Sequence, residues 1–392
     1  MGSTDQKEPY RANTVPKGIA DKMQEILHSM AQVRYAKHAV LAVESLDGSF
    51  HWSGARGIAH PDGTAMTTNT PFWIASVTKL YIASAVLKLH EQGHLSIYEK
   101  MTSYLPRSLT EGLNRTKDGT DHSDKITLLH LLNHSSGIPD YLEIHQKGEK
   151  CLWDSILEDG DRPWSIEDSM QLVRNVSRPL FRPQSMDAKK RKSRYSDTNF
   201  QLLIAIIENV AGKPLQEVFE EMFYKPLNLE NTYLPSTSAF KNFPEAATVW
   251  YKDQSLDIPY ALESARDLIS TANELIIFMR ALIRGEIFDD PATAELMQSY
   301  WNRFGFLLSP VAPGWPIEYG LGMMRFRVPP LLSFYRSFPE LRGHTGVSSA
   351  FLFYCPEIDM IITGTVSQLN AVAVPFKIVP KIAGFLSKEL KT

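Results

Sequence analysis

The chain has 392 residues, 43% hydrophobic and 22% charged, the balance of an ordinary globular protein with room for two or three domains or one domain carrying a large insertion. A formal net charge of −3 excludes a strong electrostatic pull toward nucleic acid or an anionic membrane, and no stretch approaches the roughly 20 apolar residues that span a bilayer. The first 17 residues are polar and lack the apolar core of a signal peptide, so the expected compartment is the cytoplasm.

Residues 17–34 place Ile19, Met23, Ile26, Leu27 and Met30 at helical spacing. Residues 39–58 then read as a hairpin: the run from Ala39 to Glu44, an Asp47-Gly48 turn, and Phe50-His51-Trp52. The next apolar run, Phe72 to Leu87, has no polar face, which predicts a buried helix ending at Gly93. From 126 to about 280 the signals are mostly helical, with one helix over 198–210 closed by Gly212 and another over 272–283 closed by Gly285. Late in the chain the period changes. Residues 348–355 and 360–366 read as strands joined by Pro356-Glu357-Ile358-Asp359, and an amphipathic helix follows over 376–390. Strands at both ends with helices between predict an α/β (α+β) fold: one antiparallel sheet built from both chain ends, interrupted by a large helical insertion. The sheet domain would comprise 17–75 and 312–392, and the mostly helical region 76–311. Cys355 lies in an apolar run far from Cys151, so a buried free thiol is expected rather than a disulfide.

Within the buried helix, Ser76-Val77-Thr78-Lys79 sets a hydroxyl and an amine three residues apart on one face. Desolvation lowers a lysine's pKa, so a neutral Lys79 amine can take the serine proton, and the helix N-terminus favours the negative charge that develops on an attacked substrate. Spacing alone is not specific. The same S-x-x-K pattern recurs at Ser238-Ala239-Phe240-Lys241, between Pro235 and Pro244, where no apolar helix surrounds it and a surface loop is expected. Tyr195-Ser196-Asp197 directly precedes the helix near 198. Ser196 or Asp197 is a natural N-cap there, whereas a Tyr195 hydroxyl beside Lys79 would share the proton transfer. The basic run 189–194 abuts this motif and reads as a solvated loop able to bias substrate charge. Gly343-His344-Thr345-Gly346 is expected to open a strand that continues through Val347. Its glycines allow close backbone approach, its N–H groups would form an oxyanion hole with that of Ser76, and His344 would supply a donor or positive charge.

Other patterns carry less. His90-Glu91-Gln92-Gly93-His94 matches the zinc-protease motif H-E-x-x-H, but Gly93 breaks the helix between the two histidines, and a polar helix end is expected. No metal or cofactor is expected, and the G-x-S-x-G nucleophile elbow is absent. Asn114, Asn133 and Asn175 begin N-x-[S/T] triplets. Trp73, Trp153, Trp164, Trp250 and Trp315 are candidate pocket walls, with core packing as the competing fate.

Taken in order, S-x-x-K, then Y-S-D before a helix, then H-T-G late in the chain resembles the serine β-lactamase and penicillin-recognising family. The likeness is nearest to its class C-like branch of D-alanyl-D-alanine carboxypeptidases, D-aminopeptidases and family VIII carboxylesterases. The stretches L-L-N-H-S-S-G-I at 131–138, L-I-S-T-A at 268–272 and Y-G-L-G at 319–322 are similar to the same family, so the resemblance runs from about residue 20 to the C-terminus. It implies a β-lactamase/transpeptidase-like fold: an antiparallel sheet flanked by helices beside a helical region, with the site between them. It further implies Ser76 as the acylated nucleophile, with Lys79 and Tyr195 as its proton-transfer partners. The N–H groups of Ser76 and Val347 would form the oxyanion hole, and Asp197, His344, Thr345 and Gly346 would contact substrate. Asp197 departs from the pattern. Many lactam- and peptide-acting relatives carry asparagine there, whose amide donates to the substrate's acylamino group, and an ionised carboxylate can only accept. A carboxylic ester or lactone is therefore the expected substrate, with a β-lactam or D-amino-acid peptide as the alternative. A non-catalytic binding relative is the alternative of another class. The expected partner is a small-molecule ester, lactone or amide and no nucleic acid, with oligomeric state left open.

Overall fold

The structure is a computed structural model that describes residues 13–145, 148–176, 178–188, 191–236, 243–303, 317–328, 331 and 338–390. The second S-x-x-K copy and Trp315 lie outside the described residues.

The chain opens with the helix Lys17–Ala31, whose buried side chains are the five apolar residues read from its spacing. The hairpin follows as strands His38–Ser45 and His51–Gly57, with Gly48 at φ +75° in the turn. These two pair antiparallel, and His38–Ser45 pairs on its other side with Met360–Thr365, Val40 lying opposite Thr365. From there the eight-stranded sheet runs through Phe351–Cys355, Leu341–Thr345, Met324–Phe326 and Glu318–Tyr319 to Asn302–Arg303, every neighbour antiparallel. One sheet is thus built from both chain ends, as the strand signals predict. One face packs on Lys17–Ala31 and the closing helix Val374–Glu389; Ala272–Arg284 packs on the other. The latter helix is held to the hairpin by a buried ionic group in which Glu44 meets both His51 Nδ1, at 2.5 Å, and the Arg280 guanidinium.

The helical region surrounds Thr78–Glu91, which buries Thr78, Lys79, every residue from Leu80 to Leu87, and Leu89. Its continuous apolar surface leaves no face for water, and burial of each large aliphatic side chain contributes about 1.5–3 kcal/mol. Tyr81 stacks on Phe278 with ring centroids 3.5 Å apart, tying this helix to Ala272–Arg284. The helix Asp197–Ala211 packs alongside and closes on Gly212 in the left-handed region at φ +65°. Cys151 and Cys355 are both buried free thiols. Asn114 and Asn133 are fully buried, which removes them as glycan acceptors. Among the described residues no helix is long and apolar enough to cross a membrane.

Candidate active site

The nucleophile segment departs from a continuous α-helix. Ala75–Val77 is a 3₁₀ turn that leads into the α-helix at Thr78, and Ala75 adopts φ +47°, a left-handed conformation that costs an alanine about 1–3 kcal/mol. Two neighbouring segments hold this turn. The L-I-S-T-A stretch forms strand Ile269–Ser270, pairs with Phe72–Trp73, and donates the Leu268 N–H to Thr78 Oγ1 at 2.8 Å. The turn after Thr345 presses on it from the sheet side, where Ser348 Oγ donates to Trp73 O at 2.8 Å. A Cβ at Gly346 would lie 2.5 Å from Ile74 O and 2.8 Å from Ala75 Cβ, so only glycine allows this approach.

That docking corrects one expectation. The H-T-G motif ends a strand, Leu341–Thr345, and residues 346–350 form a turn before Phe351–Cys355 begins. Gly346 N–H bonds Ala350 O at 2.8 Å, and Ser349 takes φ +64°. Val347 therefore projects from a turn beside Ser76. Among the described residues neither the Ser76 nor the Val347 N–H has a turn or ladder hydrogen bond, so both remain available as donors.

Ser76 Oγ lies 2.9 Å from Lys79 Nζ and 2.7 Å from the Tyr195 hydroxyl. Lys79 Nζ in turn lies 2.5 Å from Asp197 Oδ1, which is 3.5 Å from the Tyr195 hydroxyl. Burial disfavours charge on Lys79, but the Asp197 carboxylate, aided by Asp267 and Tyr319, outweighs it and holds the amine above its ordinary pKa. The resting lysine is an ammonium, which corrects the expected neutral amine. Burial and the Asp197 carboxylate push the Tyr195 phenol well up, so it is a neutral donor at rest.

Asp197 and Ser196 do not cap their own helix by side chain. Ser196 Oγ donates to Pro139 O at 3.1 Å, and the Asp197 N–H is received at 3.0 Å by Asp140 Oδ2, a cap brought from another segment. The 131–138 stretch braces the tyrosine: His134 accepts the Arg194 N–H on its carbonyl at 2.9 Å, and its ring packs tilted against Tyr195 with centroids 4.5 Å apart. His344 departs furthest from expectation. It is fully buried, outside the cavity lining, with Nδ1 2.6 Å from Thr345 O and Nε2 2.9 Å from the Tyr319 hydroxyl. Burial first, and Lys79 second, depress its pKa to about 3, so it places no positive charge in the site. Its carbonyl neighbour can only accept, which puts the proton on Nδ1 and makes Nε2 the acceptor of the Tyr319 O–H.

The site opens into a cavity of about 400 Å³ reached by Ser76, Lys79, Tyr195, Asp197, Thr345, Gly346 and Val347. Trp73, Trp153 and Trp164 wall it; Trp250 is not among its walls, and its backbone N–H donates to Ser367 O at 2.9 Å. Three carboxylates escaped the sequence reading: Asp140, Glu143 and Asp267 also line the cavity. Burial raises Asp267 to about 7 against the pull of Lys79, and raises Asp140 well above the usual carboxylate range. The H-E-x-x-H stretch is no metal site: the helix ends at Glu91, Gly93 takes φ +75°, and the Glu91 carboxylate receives the N–H groups of Asp289 and Asp290.

Fold and family match together define a serine hydrolase of the β-lactamase and penicillin-binding-protein superfamily. The chain belongs to the Beta-lactamase family, whose profile matches residues 20–375. It is similar to the N-acetylmuramyl-L-alanine amidase of Bacillus subtilis (strain 168), 32% identical over 185 residues that span 47% of this chain and 38% of that protein. The putative penicillin-binding protein PbpX of the same organism is 24% identical over 337 residues, 82% of this chain and 71% of the relative. Among solved structures, EstCE1, described as a hydrolase with promiscuous acyltransferase activity, superposes with TM-score 0.70 at 21% identity, covering 93% of this chain and 98% of its own. At that identity the likeness is one of fold.

Proposed function

We propose that this protein hydrolyses neutral carboxylic esters or lactones through an acyl-enzyme on Ser76. The observation that carries the reaction class is the position of Ser76 Oγ, within hydrogen-bond reach of both Lys79 Nζ and the Tyr195 hydroxyl. Because Lys79 is charged at rest, it first passes a proton across the 2.5 Å contact to Asp197, and the amine so formed takes the Ser76 proton as Oγ attacks the carbonyl. The N–H groups of Ser76 and Val347 receive the oxyanion. Collapse breaks the acyl–oxygen bond, and Tyr195 protonates the departing alkoxide. Tyr195 is then reprotonated from the Lys79–Asp197 pair, so the proton lost by Ser76 leaves, in net, with the alcohol. Water repeats the sequence on the acyl-enzyme and releases the acid.

Cavity charge supports the choice of ester. β-Lactams and D-alanyl-D-alanine peptides carry a carboxylate, and this cavity would meet it with Glu143 and with Asp197, which is paired with Lys79; Asp140 and Asp267 are held toward the neutral form by burial, and Arg194 is the cation elsewhere in the lining. The H-T-G motif offers no cation in compensation, since His344 is buried and neutral, and like-charge juxtaposition costs several kcal/mol.

A panel of p-nitrophenyl butyrate, a γ-lactone, nitrocefin and D-phenylalaninamide, run beside a fluorophosphonate probe, tests it. Ester turnover should lead, and the probe should label wild type but not Ser76→Ala. Nitrocefin turnover above ester turnover would reverse the substrate choice, and probe labelling unchanged in Ser76→Ala would remove the nucleophile.

A further inference from the structure

Away from the nucleophile, the described residues contain one compact group of mixed metal-ligating atoms. His145, Cys151 and Asp154 each offer a ligand atom, and the three atoms lie within 4.8 Å of one another. The Trp153 backbone N–H donates to Leu142 O at 3.3 Å, tying the start of the helix that carries Asp154 to the residues just before His145. Cys151 caps the helix Leu152–Asp159, its sulfur accepting the Asp154 N–H at 3.4 Å. Cys151 is buried, Asp154 half-buried and His145 exposed, so the group opens to solvent on one side.

We propose that His145, Cys151 and Asp154 form a binding site for one divalent transition-metal ion, zinc being the best chemical match, with water completing the shell. An imidazole, a thiolate and a carboxylate are the donors zinc accepts, three protein ligands with an open fourth position being a stable arrangement. Calcium and magnesium select oxygen donors and are not served by the sulfur. A cation between sulfur and carboxylate favours the thiolate. Coordination forms the metal–sulfur bond and releases the thiol proton to solvent.

The ion would sit outside the reaction. Leu142 and Glu143 precede its first ligand, Trp153 lies between the other two, and all three residues wall the catalytic cavity. Trp153 also meets Trp73, next to the nucleophile turn, with ring centroids 6.5 Å apart. Metal binding would therefore fix one wall of the acyl pocket from behind.

The full chain, stripped with EDTA and titrated with CoCl₂, tests this independently of ester hydrolysis. Wild type should bind one equivalent and develop a sulfur-to-cobalt charge-transfer band that ZnCl₂ abolishes. Cys151→Ser should lose the band. His145→Ala, a change at an exposed position that leaves folding intact, should weaken cobalt binding roughly tenfold or more. Zinc should raise the thermal midpoint of wild type and not of either variant. Absence of stoichiometric cobalt uptake by wild type, or a band that survives Cys151→Ser or binding unchanged in His145→Ala, would overturn the site. Ester turnover should persist in the stripped protein, so a failure here leaves Ser76 chemistry standing.

Discussion

Ser76 faces two proton-bearing neighbours, and its chemistry turns on how one of them is freed. Lys79→Ala and Tyr195→Phe should each slow acylation roughly 10²-fold, read from the burst phase with a p-nitrophenyl ester. Asp197→Asn removes the carboxylate that keeps Lys79 charged. The lysine pKa then falls, so the acid limb of kcat/KM should move to lower pH while the ratio of nitrocefin to ester turnover rises; an unmoved limb would show that Lys79 is not the titrating base. Asp267 carries a stability signature. Its folded pKa of about 7 exceeds the unfolded value, so the folded state binds more protons between pH 4 and 7, and stability is lost as pH rises through that window. Asp267→Asn should therefore raise the thermal midpoint at pH 8 and raise it less at pH 5. The sequence made Ser76, Lys79 and Tyr195 legible because each sits at a defined offset from a helix start. Asp140 and Asp267 carry no such mark: each is a single aspartate in its own segment, and only the strand pairing of Ile269–Ser270 and the head of the Asp197–Ala211 helix bring them to the lysine. The charge on Lys79 is hidden for the same reason, since the pattern shows its burial and not the opposing carboxylates.

Elements meet the site through backbone contact. Gly346→Ala would drive a methyl into Ile74 O and shift the 346–350 turn against the nucleophile, so kcat should fall about 10²-fold with a smaller loss of stability, measured by ester turnover and thermal unfolding. Wild-type kcat in this variant would contradict the docking. Whether His344 opens or closes a strand was not decidable from pattern, because Val347-Ser348-Ser349 suits either, and the turn rests on Ser349 accepting φ +64°. His344, one residue from Thr345 on an extended strand, then faces away from the cavity that Thr345 lines. Under the helix Ala272–Arg284, Glu44→Ala would remove the buried carboxylate that Arg280 meets, and chemical denaturation should report a loss of about 3–5 kcal/mol.

At the scale of the molecule, the hairpin, the closing strands and the helical insertion were readable because their apolar periods differ, and the sheet's short members were not. Glu318–Tyr319 and Asn302–Arg303 are two residues each, below the length at which alternation can show, yet the first carries the tyrosine whose hydroxyl donates to His344 Nε2. The pairing of Val40 with Thr365 has a consequence in time. During synthesis the first hairpin leaves the ribosome with one edge of its central strand unmatched, and it must wait for nearly the whole chain before Met360–Thr365 arrives. Contacts so remote in sequence make folding slow and late, and a bare strand edge recruits other chains meanwhile. A nascent chain arrested before residue 360 should thus be protease-sensitive and need chaperone cover, however well its helical region has already packed.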